Sequence, residues 1–420
     1  MTTNLSIQDR SLLVLILDIT PTCWGERQTY RERSDQARLK AGKRSLGPAV
    51  LSEVISSVQT FVLAFSALHR ENCIVVIGVA DSEVAVVYPR KGIGMESMVG
   101  IDSRELGSSK IDPKEFHEGF MLGVAELVAR SARKAEERAI RATLDAKTTT
   151  KEDGVLQEEE EARKKFSSSP PGSAMAAATS LALCIINRFS VNASGLSNLN
   201  NGGSLLHRKE DAGVLAMISQ GSSHLSADKA NARATEERME QRRARGMLSP
   251  RILAIQALED KTRDYNAFMN CSFAASKGDI VIDGCFLASG MNNRAKTSTF
   301  LEQACDRTGG VFSKLTGTAQ VSGGLTEVLM TVFLPPLSVR KKLNLPKLNE
   351  VDFRAKCFET GDSVDQGYVC NQCLSIFKNQ PKNFCLTCGA QIYIRNKSKI
   401  ETQSNSKYSN VSDSKRIKIG

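Results

Sequence analysis

From Leu12 to Leu17 the chain reads LLVLIL, an unbroken run of branched apolar residues closed by Asp18 and followed by Thr20, Pro21 and Thr22. A run this short, with no polar alternation, predicts a strand buried on both faces, the central strand of a mostly parallel sheet. Such a strand needs helices above and below it, which the rest of the chain must supply. Asp18 then stands at the carboxyl end of the strand, the edge at which open α/β sheets bind ligands. The run is too short, and too soon followed by a charge, for a signal or membrane-spanning segment. No other run of about 18 apolar residues occurs, so a soluble, intracellular protein with no membrane partner is expected.

The pattern after this strand alternates. Gly47 and Pro48 predict a helix start, with Val50, Leu51, Val54, Ile55, Val58, Phe61, Val62 and Phe65 on one face. Asn72 to Ala80 predicts a second buried strand. Asp81 and Ser82 predict a tight turn, and Glu83 to Tyr88 an antiparallel edge strand. Helices are expected from Pro113, at about Ser173 to Phe189, at Tyr265 to Ala275, at Ser298 to Thr308 and at Ser322 to Phe333. Strands are expected at Arg251 to Leu258, Asp279 to Leu287 and Val311 to Leu315. The fold class is therefore α/β, a doubly wound and mostly parallel sheet with one antiparallel edge strand, over residues 1–334. Glu26 to Arg44 is polar and basic and reads as a solvated loop. Its Lys43, Arg44 and Ser45 lack the glycine pattern of a phosphate loop.

Two stretches interrupt the pattern. Residues 131–170 are highly charged, with four glutamates at Glu158 to Glu161, and residues 190–247 pass from Asn, Ser and Gly to Arg and Glu. Both read as disordered or partly helical insertions. Residues 335–350 read as a basic, proline-containing linker, and 397–420 as a disordered basic tail. The formal net charge of +10, from 56 basic and 46 acidic residues, suits an acidic partner without requiring one. Aromatic residues make up only 5% of the chain, which argues against a small-molecule substrate pocket.

Of 11 cysteines, seven stand singly and four form two pairs, Cys370 with Cys373 and Cys385 with Cys388. Two CxxC pairs at this separation can surround one tetrahedral ion with thiolates. Zn²⁺ is the expected metal. A site sealed by four thiolates leaves no position for a substrate, so it is structural. Residues 351–396 are too few to fold on an apolar core alone, and the metal would supply folding energy on the order of 10 kcal/mol. Gly389, directly after the second pair, suits the turn because it tolerates a positive φ. Cys357 has no partner at a ligand spacing and is read as a core or loop thiol. The odd cysteine total fits a reducing compartment.

The segments LLVLILDITPTCWG (Leu12–Gly25), SPRILAIQA (Ser249–Ala257), FMNCSFAASKGDIVIDGC (Phe268–Cys285), LEQACDRTGGVF (Leu301–Phe312), GYVCNQCLSIF (Gly367–Phe377) and FCLTCGAQI (Phe384–Ile392) resemble the smaller von Willebrand A-domain subunit of TFIIH, the general transcription and DNA-repair factor. The resemblance implies a von Willebrand A-like domain followed by a small four-cysteine zinc domain. It further implies a nuclear, non-enzymatic core subunit. That subunit pairs with the larger A-domain and zinc subunit, supports transcription initiation and nucleotide excision repair, and has at most indirect contact with nucleic acid. Many A-domains hold Mg²⁺ with an aspartate and two hydroxyls of one loop, a threonine and a second aspartate. Asp18, Thr20 and Thr22 match that loop, and Asp260 is the candidate second aspartate. The sequence does not fix the distal threonine, and the resemblance implies a subunit that does not depend on this metal, so these residues are expected to be a vestige that binds no Mg²⁺. Two rival functions remain at this stage. One is a nucleic-acid-binding zinc protein using Lys378, Lys382, Arg395, Lys397 and the tail, which direct duplex binding would favour. The other is a metal-dependent ligand-binding A-domain, which would require a complete loop constellation.

Overall fold

All eight residues of the first strand, Ser11–Asp18 (β1), are buried. The computed structural model describes residues 10–40, 48–69, 72–89, 112–148, 174–198, 249–261, 264–288, 297–316, 320, 323–340, 342–346, 351–360, 362–381, 384–388, 390–391 and 416–418. Leu13, Leu15 and Leu17 point to one core and Leu12, Val14 and Ile16 to a second, as the two-residue period of a strand dictates. Around β1 the chain adds Cys73–Ala80 (β2), Glu83–Tyr88 (β3), Ser249–Gln256 (β4), Val281–Leu287 (β5) and Phe312–Leu315 (β6). The sheet order is β3-β2-β1-β4-β5-β6, and only β3 pairs antiparallel. The order of strands reverses between β1 and β4, which makes their carboxyl ends the topological switch point.

Helices cover both faces. Pro21–Leu39 (α1), Leu51–Leu68 (α2), Pro113–Thr148 (α3) and Gly324–Val328 (α7), which continues as a π-helical turn over Leu329–Phe333, pack on the Leu13 side. Met175–Asn198 (α4), Tyr265–Lys277 (α5) and Thr299–Thr308 (α6) pack on the Leu12 side. By length and composition α2 is apolar enough to span a membrane. In this fold its Val54, Ile55, Val58, Phe61, Val62 and Phe65 are buried in the core. Helix α3 comes so close to β3 that a Cβ on Gly123 would lie 2.6 Å from the Val87 carbonyl oxygen. Gly309 ends α6 in the left-handed region (φ 69°), where L side chains are strained.

Several expectations are corrected. Glu26 to Arg44 is not a loop throughout, because α1 runs to Leu39. Pro21 starts it at a position where proline is tolerated, and Cys23, Trp24 and Arg27 turn one face inward. The α2 helix begins at Leu51, three residues later than Pro48 suggests, with Val50 as its N-cap. The insertions at 131–170 and 190–247, expected to be disordered or partly helical, begin as helix, with α3 running to Thr148 and α4 to Asn198, which does not contradict that expectation. Residues 149–173 and 199–248 lie outside the described residues. The tail includes a strand, Arg416–Lys418 (β11).

Residues 335–350, expected as a linker, begin with a helical turn, Leu337–Arg340 (α8), whose Arg340 is buried. Its guanidinium donates to both oxygens of Asp283 at 2.7 and 2.8 Å, and Val311 N donates to the same carboxylate at 3.0 Å. Arg251 beside it donates from Nη1 to the Phe333 and Pro335 carbonyls, at 2.8 and 3.1 Å. Burial, with the Arg340 charge next to it, lowers the Arg251 pKa to about 10. These two arginines fasten the exit of the sheet domain onto β4 and β5.

The second unit is small. Ala355–Lys356 (β7) pairs with Ser363–Val364 (β8), and Gln366–Val369 (β9) pairs with Ile376–Phe377 (β10) and with β11. Phe358, Phe377, Cys370 and Cys385 form its core, with Tyr265 of α5 packed against it. Gln303 of α6 donates to the Asp352 carbonyl at 2.6 Å and ties the two units. Arg340→Ala would leave the Asp283 carboxylate buried without its charge partner, a loss of about 3–5 kcal/mol. Denaturant unfolding checks this by a lower midpoint at unchanged slope.

Candidate metal centre and the switch-point edge

The cysteine pairs sit on two facing turns. Cys370 N donates to the Ser375 carbonyl and Leu374 N to the Cys370 carbonyl, both at 2.9 Å, and Leu374 takes a left-handed φ of 59°. Such a φ is strained for a bulky residue and is kept only where the surroundings impose it. Cys385 N donates to the Ala390 carbonyl at 2.7 Å, closing the second turn. Gly389, the expected turn glycine, lies outside the described residues.

The sulfurs of Cys370, Cys373, Cys385 and Cys388 all lie within 4.8 Å of one another. Cys370 and Cys388 are 3.8 Å apart, and Cys373 and Cys385 are 3.6 Å apart. Four thiolates at metal–sulfur bonds of about 2.3 Å sit about 3.8 Å apart at the corners of a tetrahedron, so the set fits one ion. Burial pushes the Cys373 thiol up, but hydrogen bonds from Ser375 outweigh it and bring its pKa down to about 7. A thiol that ionises near neutrality is a ready ligand. Cys357 stands apart from this cluster. It is buried, and its sulfur accepts from Lys378 N at 3.3 Å.

At the carboxyl end of β1, the Asp18 carboxylate is fully engaged. Oδ1 accepts from Thr20 N (3.1 Å) and Thr20 Oγ1 (2.6 Å). Oδ2 accepts from Ala257 N (3.2 Å) and Leu258 N (2.9 Å), the residues that follow β4. Asp18 therefore stitches together the two strands that flank the switch point. Thr20 Oγ1 also accepts from Asp81 N at 3.3 Å, and Asp81 Oδ2 accepts from Ser131 Oγ at 2.6 Å. Asp18 and Thr20 are 1% and 0% exposed, so no water replaces these partners.

The other two loop candidates do not join Asp18. Thr22 is exposed on α1. Asp260 turns towards α6, where it accepts from Ser298 Oγ (2.6 Å), Phe300 N (2.9 Å) and Gln256 Nε2 (3.0 Å). Burial raises its pKa, and these donors partly offset the rise. A carboxylate at the first turn of a helix also meets the positive end of the helix dipole. The space between Asp260, Gln256, Phe268 and Phe300 is about 20 Å³, room for about one water.

Sequence reasoning missed Arg27 and Gln320. Arg27 is fully buried, stacks 5.0 Å from the Trp24 ring, and donates to the carbonyls of Ala257 (3.1 Å) and Leu287 and to Gln320 Oε1 (3.4 Å). Gln320 in turn donates to the Ala288 and Leu315 carbonyls at 2.6 and 2.7 Å. This network closes the carboxyl ends of β4, β5 and β6. The available signal was the spacing Cys23, Trp24, Arg27, which shares one face only if the stretch is helical. Asp18→Ala orphans the amides of Thr20, Ala257 and Leu258, so a loss of about 3–5 kcal/mol is expected in denaturant unfolding.

The sequence profile of the family described as transcription factor Tfb4 matches residues 10–389. The chain is similar to general transcription and DNA repair factor IIH subunit TFB4 of Yarrowia lipolytica, 28% identical over 341 residues, 80% of this chain and 79% of that protein. It is 26% identical over 384 residues to the same subunit of Debaryomyces hansenii, 91% of this chain and 85% of that one. Among solved structures, the TFIIH p34 N-terminal domain aligns with 77% of this chain and 98% of its own, at 18% identity and a TM-score of 0.41. With both CxxC pairs and all six strands of the main sheet inside the matched span, the chain belongs to the transcription factor Tfb4 family.

Proposed function

We propose that the chain is a non-catalytic core subunit of general transcription and DNA repair factor IIH. Its A-domain and four-cysteine unit serve as protein-binding surfaces, with the larger A-domain and zinc subunit as the direct partner. The observation that carries this is the family match over residues 10–389, which takes in both units. The geometry supports it in a second way. At the ligand edge of the sheet, Asp18, Arg27 and Gln320 bond to backbone groups of the adjoining loops, which suits a domain used for assembly. In this role the protein works in the nucleus, in transcription initiation and nucleotide excision repair.

The ion at Cys370, Cys373, Cys385 and Cys388 is Zn²⁺ in this proposal, since four soft thiolates in a tetrahedral array select it. It closes the two turns and holds β9 and β10 in place, which the small Phe358–Phe377 core does not do alone. Asp18 is a structural joint and takes no Mg²⁺.

Metal analysis of the purified chain should find about one zinc, and Cys370→Ser with Cys373→Ser should lose it. Because the ligands must be deprotonated, zinc is retained near neutral pH and released as pH falls. Full zinc content in the double variant contradicts the assignment. Co-expression with the larger A-domain subunit should give a stable complex on size exclusion. Separate elution of the two chains contradicts the scaffold role.

A further inference from the structure

Beyond Ser131, helix α3 leaves the body of the protein. Ser131 is buried against Asp81, yet every described side chain from Ala132 to Arg141 is exposed. The helix still continues to Thr148, so about 25 Å of it, at 1.5 Å per residue, projects past the fold. A helix without a packed face gains little from the core, and its own side chains decide what it is good for.

Basic side chains predominate on one side of it. At 100° per residue, Arg130, Arg133, Lys134, Arg138 and Arg141 fall within about 140° of one another, a sector that also holds one carboxylate, Glu137. Arg130, Lys134 and Arg138 repeat at four-residue spacing, a like-charge arrangement that weakens a solitary helix. Lys134 is engaged by Glu83 at 2.5 Å, near the body. Among the described residues, Arg133 and Arg138 bond to the helix carbonyls of Ala129 and Lys134, at 3.4 and 3.1 Å. Among the described residues no carboxylate forms an ion pair with Arg133, Arg138 or Arg141. Three guanidinium groups thus stand in solvent along one side of a projecting rod.

We propose that this part of α3 docks on the phosphate backbone of duplex nucleic acid through Arg133, Arg138 and Arg141. The charge is complementary, and arginine is the side chain suited to phosphate oxygens. An acidic protein partner fits less well. A protein interface needs apolar anchors at its centre, and Ile140, 53% exposed, is the single large apolar side chain on the stretch from Ala132 to Arg141. Phosphate contacts need no such anchor and read no sequence, so binding is electrostatic and non-specific. The net charge of +10 favours approach to a polyanion. This contact goes beyond the scaffold role, in which nucleic acid is reached only through other subunits.

The test is fluorescence anisotropy of the full chain with a labelled duplex of about 20 base pairs across a salt series. The variant Arg133→Gln, Arg138→Gln, Arg141→Gln should bind on the order of 10- to 100-fold more weakly at about 0.1 M salt. Its slope of log K against log salt should be shallower by about 2–3. The same three positions changed to Lys should keep most of the binding. A control variant, Arg33→Gln, Lys40→Gln, Lys277→Gln, removes equal charge from exposed sites elsewhere and should bind as the parent does. The proposal is overturned if the parent does not bind duplex. It is equally overturned if the helix variant binds as the parent does, if the control weakens as much, or if poly-glutamate of equal charge binds the parent more tightly than duplex.

Discussion

The hydrogen bonds from Asp18 to the amides of Ala257 and Leu258 cross the one place where a doubly wound sheet is open. At a switch point the helices on either side diverge, and the crevice between them is where related architectures receive a ligand. Here the carboxylate that would face a ligand faces backbone amides of the adjacent loop. Both of its oxygens are satisfied, and Thr20, Asp81 and Ser131 extend the network to α3. A buried carboxylate is tolerable only when it is so fully partnered. Helix α1 completes the closure: it enters immediately after the Asp18 loop and places Trp24 and Arg27 over the ends of β1, β4 and β5.

A sheet edge closed in this way has its buried carboxylate bonded to the protein's own backbone. The exit from the sheet domain is equally fastened. Arg340 and Asp283 form a buried bidentate pair, and Arg251 holds the carbonyls of the preceding turn. The four-cysteine unit, whose first strand starts at Ala355, rests on Tyr265 and Gln303. Its position relative to the sheet therefore depends on contacts with α5 and α6, and its four clustered thiols could hold a metal ion.

Much of this was legible in the residues. The run Leu12–Leu17 announced the central strand because burial on both faces leaves no alternation. The turn at Asp81–Ser82 announced the antiparallel edge, and the two CxxC pairs announced a cluster of four thiols that could hold a metal. What was not legible depended on partners distant in sequence. Arg27 reads as a solvated charge until α1 is known to be a helix, and its acceptors lie some 230 and 260 residues away. Arg340 reads as linker for the same reason, since nothing local indicates that Asp283 awaits it. Asp260 follows β4 as expected, but the choice between facing Asp18 and capping α6 is made by Ser298 and Phe300, on a separate segment.

We infer that Asp18 closes the switch point with protein hydrogen bonds and not with an ion. Hydrogen exchange at the amides of Thr20, Ala257 and Leu258, with and without millimolar Mn²⁺, tests it directly. Protection close to the limit set by global unfolding, unchanged by Mn²⁺, is the predicted result. Rapid exchange at these amides, or protection that arises only when Mn²⁺ is present, would contradict it.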